Sequence, residues 1–197
     1  MAKKNFYCVK KGLTPGIYTD WESCKAQVQG FPGAVYKGFA TIEEAKAYMG
    51  EQSTLQIAES EAVAYVDGSY NMATGEYGCG VVFFYDGKET HLCEKGNDVE
   101  MATMRNVAGE ILGATLAMKY AIEHGIRQLS IYYDYQGIAS WCLGEWKTNK
   151  EGTVAYKRYY DGIKEQLKVN FCKVKGHSGN QWNDLADELA KQSVGVI

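Results

Sequence analysis

A chain of 197 residues can hold one sizeable core plus a small appended unit, at roughly 100 to 200 residues per domain. Hydrophobic residues at 46%, charged residues at 23% and only two prolines exclude an extended disordered or collagen-like chain. No apolar run approaches the roughly 18 residues of a membrane span, and Met1-Ala2-Lys3-Lys4-Asn5 leads into no hydrophobic leader, so neither secretion nor membrane insertion is expected. Six cysteines (Cys8, Cys24, Cys79, Cys93, Cys142, Cys172) lie far apart with no C-x-x-C pair, which predicts buried thiols in a reducing, cytoplasmic setting. The formal charge of −3 is unevenly spread: residues 1–50 carry seven Lys against four acids, residues 51–60 two acids, and residues 61–197 fourteen Lys or Arg against eighteen acids. The basic end is the candidate for phosphate contact and the acidic remainder for metal binding or catalysis.

In chain order, Phe6–Lys10 and Gly16–Tyr18 read as short strands separated by turn residues at Lys11-Gly12 and Pro15-Gly16. Thr19 or Asp20 caps a helix that holds Trp21, Cys24 and Val28 and stops at Phe31-Pro32-Gly33. Val35–Phe39 is a third strand, and Thr41-Ile42-Glu43-Glu44 is a capping box that opens a helix to Met49. Residues 1–50 thus form a small α/β domain. Residues 51–60 have little periodicity and read as a tether, spanning roughly 17 Å if flexible.

Residues 61–197 form the second domain, in which strands alternate with helices. Ala62–Val66 is an apolar strand ending in Asp67-Gly68-Ser69, and Tyr77–Tyr85 and Glu89–Glu94 form a hairpin around Asp86-Gly87-Lys88. A long helix runs from about Thr103 to His124, with Ala108, Ile111, Leu112, Thr115, Leu116 and Ile122 as its core face and Gly125 as its stop. Leu129–Tyr133 is a strand ending in Asp134. Helices at 136–143 and 153–167, a strand at 170–174 and a helix at 181–192 complete a five-stranded α/β layout.

Strands joined through a crossover helix are usually parallel, so Asp67 and Asp134 are expected at the same sheet edge, where ligands bind in open α/β sheets. Glu110 heads a row with Ala114, Ala117 and Ala121, small residues that let the helix approach the sheet closely. Asn183 and Asp187 share one face of the last helix, while Asp184 and Glu188 fall on its solvated side. Converging carboxylates repel unless protonated, hydrated or bridged by cations. Oxygen ligands favour Mg2+ or Mn2+, and a pair of such ions suits in-line phosphodiester displacement.

The segments Tyr65-Val66-Asp67-Gly68-Ser69, Asn106-Val107-Ala108-Gly109-Glu110, Tyr133-Asp134, Val174-Lys175-Gly176-His177-Ser178-Gly179 and Asn183-Asp184-Leu185-Ala186-Asp187-Glu188-Leu189-Ala190 resemble, in order and spacing, the catalytic domain of the type 1 ribonuclease H family. In the first domain, Phe6-Tyr7-x-Val9-Lys10-Lys11-Gly12, Trp21-Glu22-x-Cys24 and Phe31-Pro32-Gly33-Ala34-x-Tyr36-Lys37-Gly38-Phe39 resemble that family's N-terminal hybrid-binding domain. The resemblance implies a ribonuclease H-like mixed five-stranded sheet flanked by helices, preceded by a small hybrid-binding α/β domain. It also implies hydrolysis of the RNA strand of RNA/DNA hybrids, leaving 5'-phosphate and 3'-hydroxyl ends.

By the same resemblance, Asp67, Glu110, Asp134 and Asp187 hold two Mg2+ ions, with Mn2+ as a substitute, one activating water and the other stabilising the 3'-leaving oxygen. His177 is the mobile histidine of proton traffic or product release, and Asn106 contacts the minor groove of the hybrid. Tyr7, Trp21 and Tyr36 are aromatics packed on the DNA strand, and Lys37 is a phosphate contact. The expected protein is a cytoplasmic monomer whose partner is the RNA/DNA hybrid, with double-stranded RNA as a second ligand of the N-terminal domain. Arg105 stands where many members carry Thr in a DNA-phosphate pocket, and Gly38 where a second lysine often follows Lys37.

Each feature has a plainer alternative. A strand-end Asp before Gly-Ser is commonly a turn residue, and Trp21 and Tyr36 are ordinary core aromatics in a small domain. His91 and His124 read as structural or surface groups, Trp141, Trp146 and Trp182 as packing residues, and Lys147-Thr148-Asn149 as a phosphate pocket or a plain loop. At the level of function the alternatives are a non-catalytic hybrid or double-stranded RNA binding protein, and a DNA-directed relative of the integrase and transposase type.

Overall fold

The chain divides at Gln56–Ile57 in the computed structural model, which describes residues 4–49, 61–176 and 180–196. The expected tether at 51–60 and His177 lie outside the described residues.

In the first unit, β1 (Phe6–Lys11), β2 (Gly16–Tyr18) and β3 (Val35–Phe39) form an antiparallel sheet in the order β2-β1-β3. Successive residues of a strand face opposite sides, so each side of this sheet takes one helix. Val9 packs on Cys24 and Val28 of α1 (Trp21–Val28). On the other side, Cys8 Sγ donates to the Ala45 carbonyl of α2 (Ile42–Met49) at 3.2 Å. Asp20 Oδ1 caps α1 by accepting from Ser23 N at 2.8 Å. Thr41 Oγ1 accepts from Glu44 N at 3.3 Å, and the Glu44 carboxylate reaches back to Ala40 N at 3.2 Å, one residue before the expected partner of a capping box.

The second unit holds a mixed five-stranded sheet, order β6-β5-β4-β7-β8, built from β4 (Ala62–Tyr70), β5 (Tyr77–Tyr85), β6 (Lys88–Gly96), β7 (Gln128–Tyr133) and β8 (Lys168–Lys173). β4, β7 and β8 are parallel to one another, whereas β5 and β6 are antiparallel additions. Asp86 and Gly87 both adopt positive φ (50° and 70°) and make a two-residue turn, so Lys88 already belongs to β6 and pairs with Tyr85.

Helices α3 (Val99–Ala102), α4 (Asn106–Glu123), α5 (Gly137–Cys142) and α6 (Glu151–Ile163) precede β8, and α7 (Gln181–Ser193) follows it. α4 covers one face of the sheet, where Ala62, Ala64, Val66, Val81, Phe83, Leu129 and Ile131 make the core with Ile138, Tyr156 and Ile163. α7 covers the opposite face. Gly80 lets it touch β5, since a β-carbon there would lie 2.2 Å from the Ala186 carbonyl oxygen.

Four sequence expectations are corrected. The long helix begins at Asn106 rather than Thr103, because Arg105 has φ 54° and breaks the run between α3 and α4. Its innermost face is Ala108, Ile111, Gly113, Ala114, Ala117, Met118 and Ala121, so Ala108 and Ile111 stand as expected, while Leu112, Thr115, Leu116 and Ile122 are only partly buried. Small residues bring the helix backbone onto the strands, which pushes the larger side chains to its flanks. α6 runs over Glu151–Ile163 instead of 153–167, and β8 starts at Lys168, ahead of the expected 170.

Candidate metal centre and nucleic-acid interface

The parallel pairing of β4 with β7 ends at Tyr65↔Tyr132, while the antiparallel pairing of β4 with β5 continues to Tyr70↔Tyr77. Asp67 therefore lies within β4, where the β7 side has opened, and Asp134 is the first residue beyond β7. Gly68 brings in the third acid. A β-carbon there would sit 2.3 Å from Asn106 O and from Glu110 N, so its absence lets the first turns of α4 rest on the strand. The opened edge thus receives Glu110 from the helix and two aspartates from the sheet.

Asp67, Glu110 and Asp134 each offer an oxygen within 4.8 Å of the others, the one such acidic group found among the described residues. They line a cavity of about 370 Å³ with Gly68, Asn106, Val107, Tyr135 and Asp187. Asp67 and Glu110 are only 8% and 5% exposed. Asp67 Oδ1 accepts from Gly68 N at 2.7 Å, whereas Glu110 Oε2 is buried with no hydrogen-bond partner among the described residues. Burial first, then the negative charge of Asp134, pushes Asp67 up to about 7. Burial and then the charges of Asp67 and Asp134 push Glu110 well above the ordinary carboxyl range. The ion pairs among the described residues include none to Asp67, Glu110 or Asp134. Hard oxygen donors, one of them an orphaned buried atom, fit a divalent cation.

Asp187 belongs to the same cavity but not to the tight group of three. Its Oδ2 takes Lys191 Nζ at 2.6 Å, one helical turn on, and so already has a counter-ion. Asn183, one turn earlier on α7, is buried, and its Oδ1 has no partner among the described residues. A second cavity of about 450 Å³ shares Val107 and Tyr135 with the first and is lined further by Thr103, Met104, Trp141, Lys147, Asn149, Lys150 and Thr153. Lys147 and Asn149, in an exposed loop, thus line a hollow beside the acidic centre. Trp141 is buried and Trp182 packs edge-on to Phe84, as packing residues do, but Trp146 is 42% exposed.

In the first unit, Trp21 lies between Tyr7 and Tyr36, with ring centroids 5.5 and 5.8 Å away. Trp21 and Tyr36 are 39% and 47% exposed, so this is a surface row and not a core. Lys37 is not part of it. It pairs with Cys8 on the α2 side of the sheet, and its Nζ lies 5.4 and 5.7 Å from the Phe39 and Tyr48 ring centres. Gly38 faces the aromatic side, opposite Tyr7, and the stem of Lys4 lies over it, Cδ being 2.9 Å from where a β-carbon would stand. Sequence reasoning missed Lys4 and Lys191 because neither belongs to a spaced motif; proximity in the fold is what marks them.

Residues 5–49 match the family described as the Ribonuclease H1 N-terminal domain, and residues 59–195, well over half of the chain, match RNase H. This chain belongs to the RNase H family. As a ribonuclease H it is 27% identical to human Ribonuclease H1 over 256 residues, a match covering 95% of this chain and 88% of the human protein. Ribonuclease H of Saccharomyces cerevisiae is 50% identical over 55 residues, which span 27% of this chain and only 16% of the yeast protein. Solved structures agree in fold. RNase H1 from Halobacterium salinarum aligns at TM-score 0.57 with 18% identity, over 70% of this chain and 99% of that one. LC11-RNase H1, solved in complex with an RNA/DNA hybrid, aligns at 0.53 with 15% identity, over 68% and 99%.

Proposed function

We propose that the protein is an endonuclease that hydrolyses the RNA strand of RNA/DNA hybrids with two divalent cations, Mg2+ by preference and Mn2+ as a substitute, leaving 5'-phosphate and 3'-hydroxyl ends. The observation that carries this reading is the convergence of Asp67, Glu110 and Asp134 within 4.8 Å at an opened sheet edge, with Glu110 Oε2 unpartnered among the described residues. Supporting it are the family and the hybrid bound by LC11-RNase H1.

Asp67, Glu110 and Asp134 would hold the first ion, and Asp187, released from Lys191, would complete the second position. The bound cations supply Lewis acidity toward the phosphate and stabilise developing negative charge. The chain's own groups do the rest. Asn106, exposed at the start of α4 and lining the cavity, is placed to test for a 2'-hydroxyl in the minor groove, which distinguishes RNA from DNA. Lys147, Lys150 and Asn149 give the neighbouring hollow the charge and donors to receive a backbone phosphate, fixing register on the duplex. His177 serves proton traffic or product release. Tyr7, Trp21 and Tyr36 hold the DNA strand on the first unit, and double-stranded RNA is a second ligand of the N-terminal domain. Lys37 acts as a phosphate contact from the other side of the sheet. We place the protein in the cytoplasm, a reading supported by the cysteines, four of the six being buried, and as a monomer.

The test is incubation of a strand-labelled hybrid with Mg2+. RNA-strand cleavage, an intact DNA strand, loss of activity in EDTA and in Asp134→Asn, and polymerase-extendable 3' ends are expected. Binding without RNA cleavage would favour the non-catalytic alternative, and cleavage of an all-DNA duplex the integrase-like one.

A further inference from the structure

Gly176 is the described glycine whose missing side chain bears on a carboxylate of the acidic centre. A β-carbon built there would stand 2.4 Å from Asp134 Oδ2, 3.4 Å from its Cγ and 3.6 Å from its Cβ. The first separation is far inside van der Waals contact, so either the backbone at 176 or the Asp134 carboxylate would have to move. The backbones are tied together close by. Tyr133 pairs with Lys173 in the β7/β8 ladder, and Val174 N donates to Tyr133 O at 2.8 Å, directly before Asp134. The carboxylate, by contrast, turns about two single bonds and carries no ion pair among the described residues. A side chain at 176 therefore displaces the carboxylate.

We propose that Gly176 is a positioning residue: its bare α-carbon is the wall against which the Asp134 carboxylate rests, keeping it in reach of Asp67 and Glu110. The proposal rests on the reading of those three acids as the holders of a divalent cation. Its signature differs from that of the structural glycines. At Gly68 and Gly80 an added β-carbon meets backbone, so substitution costs stability; at Gly176 it meets the end of one ligand, so substitution costs cation affinity.

The test is Mn2+ titration of the full-length wild type, Gly176→Ala and Asp134→Asn, followed by electron paramagnetic resonance of free Mn2+, with thermal melting of each protein in EDTA. Gly176→Ala is expected to bind Mn2+ at least tenfold more weakly while melting in EDTA within about 2 °C of wild type, and Asp134→Asn to bind more weakly still. Wild-type Mn2+ affinity in Gly176→Ala beside impaired Asp134→Asn would overturn the role of Gly176 and leave the metal centre standing. A large fall in the EDTA melting temperature of Gly176→Ala would overturn it too, because the loop and not the carboxylate would then have yielded. Unchanged affinity in Asp134→Asn would instead remove the metal-centre reading itself.

Discussion

Asp67→Asn should make the metal-free protein more stable, and by an amount that depends on pH. Asp67 is buried, and its pKa stands at about 7 against an ordinary 3.8 because burial and then the Asp134 charge oppose ionisation. The folded state therefore holds a proton that the unfolded chain has already released, so stability falls as pH rises from about 4 through about 7. The interval of about 3 units corresponds to about 4 kcal/mol at about 1.36 kcal/mol per unit. Burying the Asn amide takes back part of this, which leaves a gain of about 2 to 4 kcal/mol at pH 8. Asn keeps the Oδ1 that accepts from Gly68 N, so the local hydrogen bond survives. At a few degrees per kcal/mol for a domain of this size, the melting temperature in EDTA should rise by roughly 5 to 10 °C at pH 8 and by only about a quarter of that at pH 4.5. Saturating Mg2+ should erase or reverse the gain, since bound cations stabilise the native state in proportion to their differential affinity. A gain equal at both pH values, or unaffected by Mg2+, would refute the assignment of the repulsion to this cluster.

Asp187→Asn should behave oppositely, leaving metal-free stability unchanged or lowering it by up to about 1 kcal/mol, because Asp187 already has Lys191 as a partly exposed counter-ion; denaturant melts in EDTA read the sign. Gly68→Ala should destabilise the catalytic unit by about 3 kcal/mol, since its β-carbon meets the backbone of α4 at 2.3 Å, and urea titration would show the fall. Trp21→Ala should weaken hybrid binding about tenfold or more, an aromatic platform being worth about 1 to 3 kcal/mol, with turnover at saturating hybrid unchanged; fluorescence anisotropy with unchanged affinity would return the ring to a packing role.

Asp67 and Asp134 could be placed at one edge from the sequence because a crossover helix forces parallel strands, and Glu110 because an acid heading an alanine row must face the sheet. Both inferences use periodicity and chain topology, which a linear sequence carries. The division of labour between Asp187 and its three neighbours was not legible, because it depends on a lysine one turn along α7 whose direction only the packing of that helix decides. Lys37 shows the same limit: the motif names it beside Tyr36, but which helix its side of the sheet meets is decided by the fold, since neighbouring residues of a strand face opposite sides. The start of α4 was missed because Arg105 takes a positive-φ backbone conformation that nothing in its side chain announces. Gly176 and Gly68 were visible as letters, but what a glycine makes room for is set by the partner across the gap.

The most direct test of the central claim is anomalous diffraction from crystals of the protein soaked in Mn2+. Peaks among the carboxylates of Asp67, Glu110 and Asp134, with a second beside Asp187, are predicted; Mn2+ absent from that cavity while bound elsewhere would contradict the account.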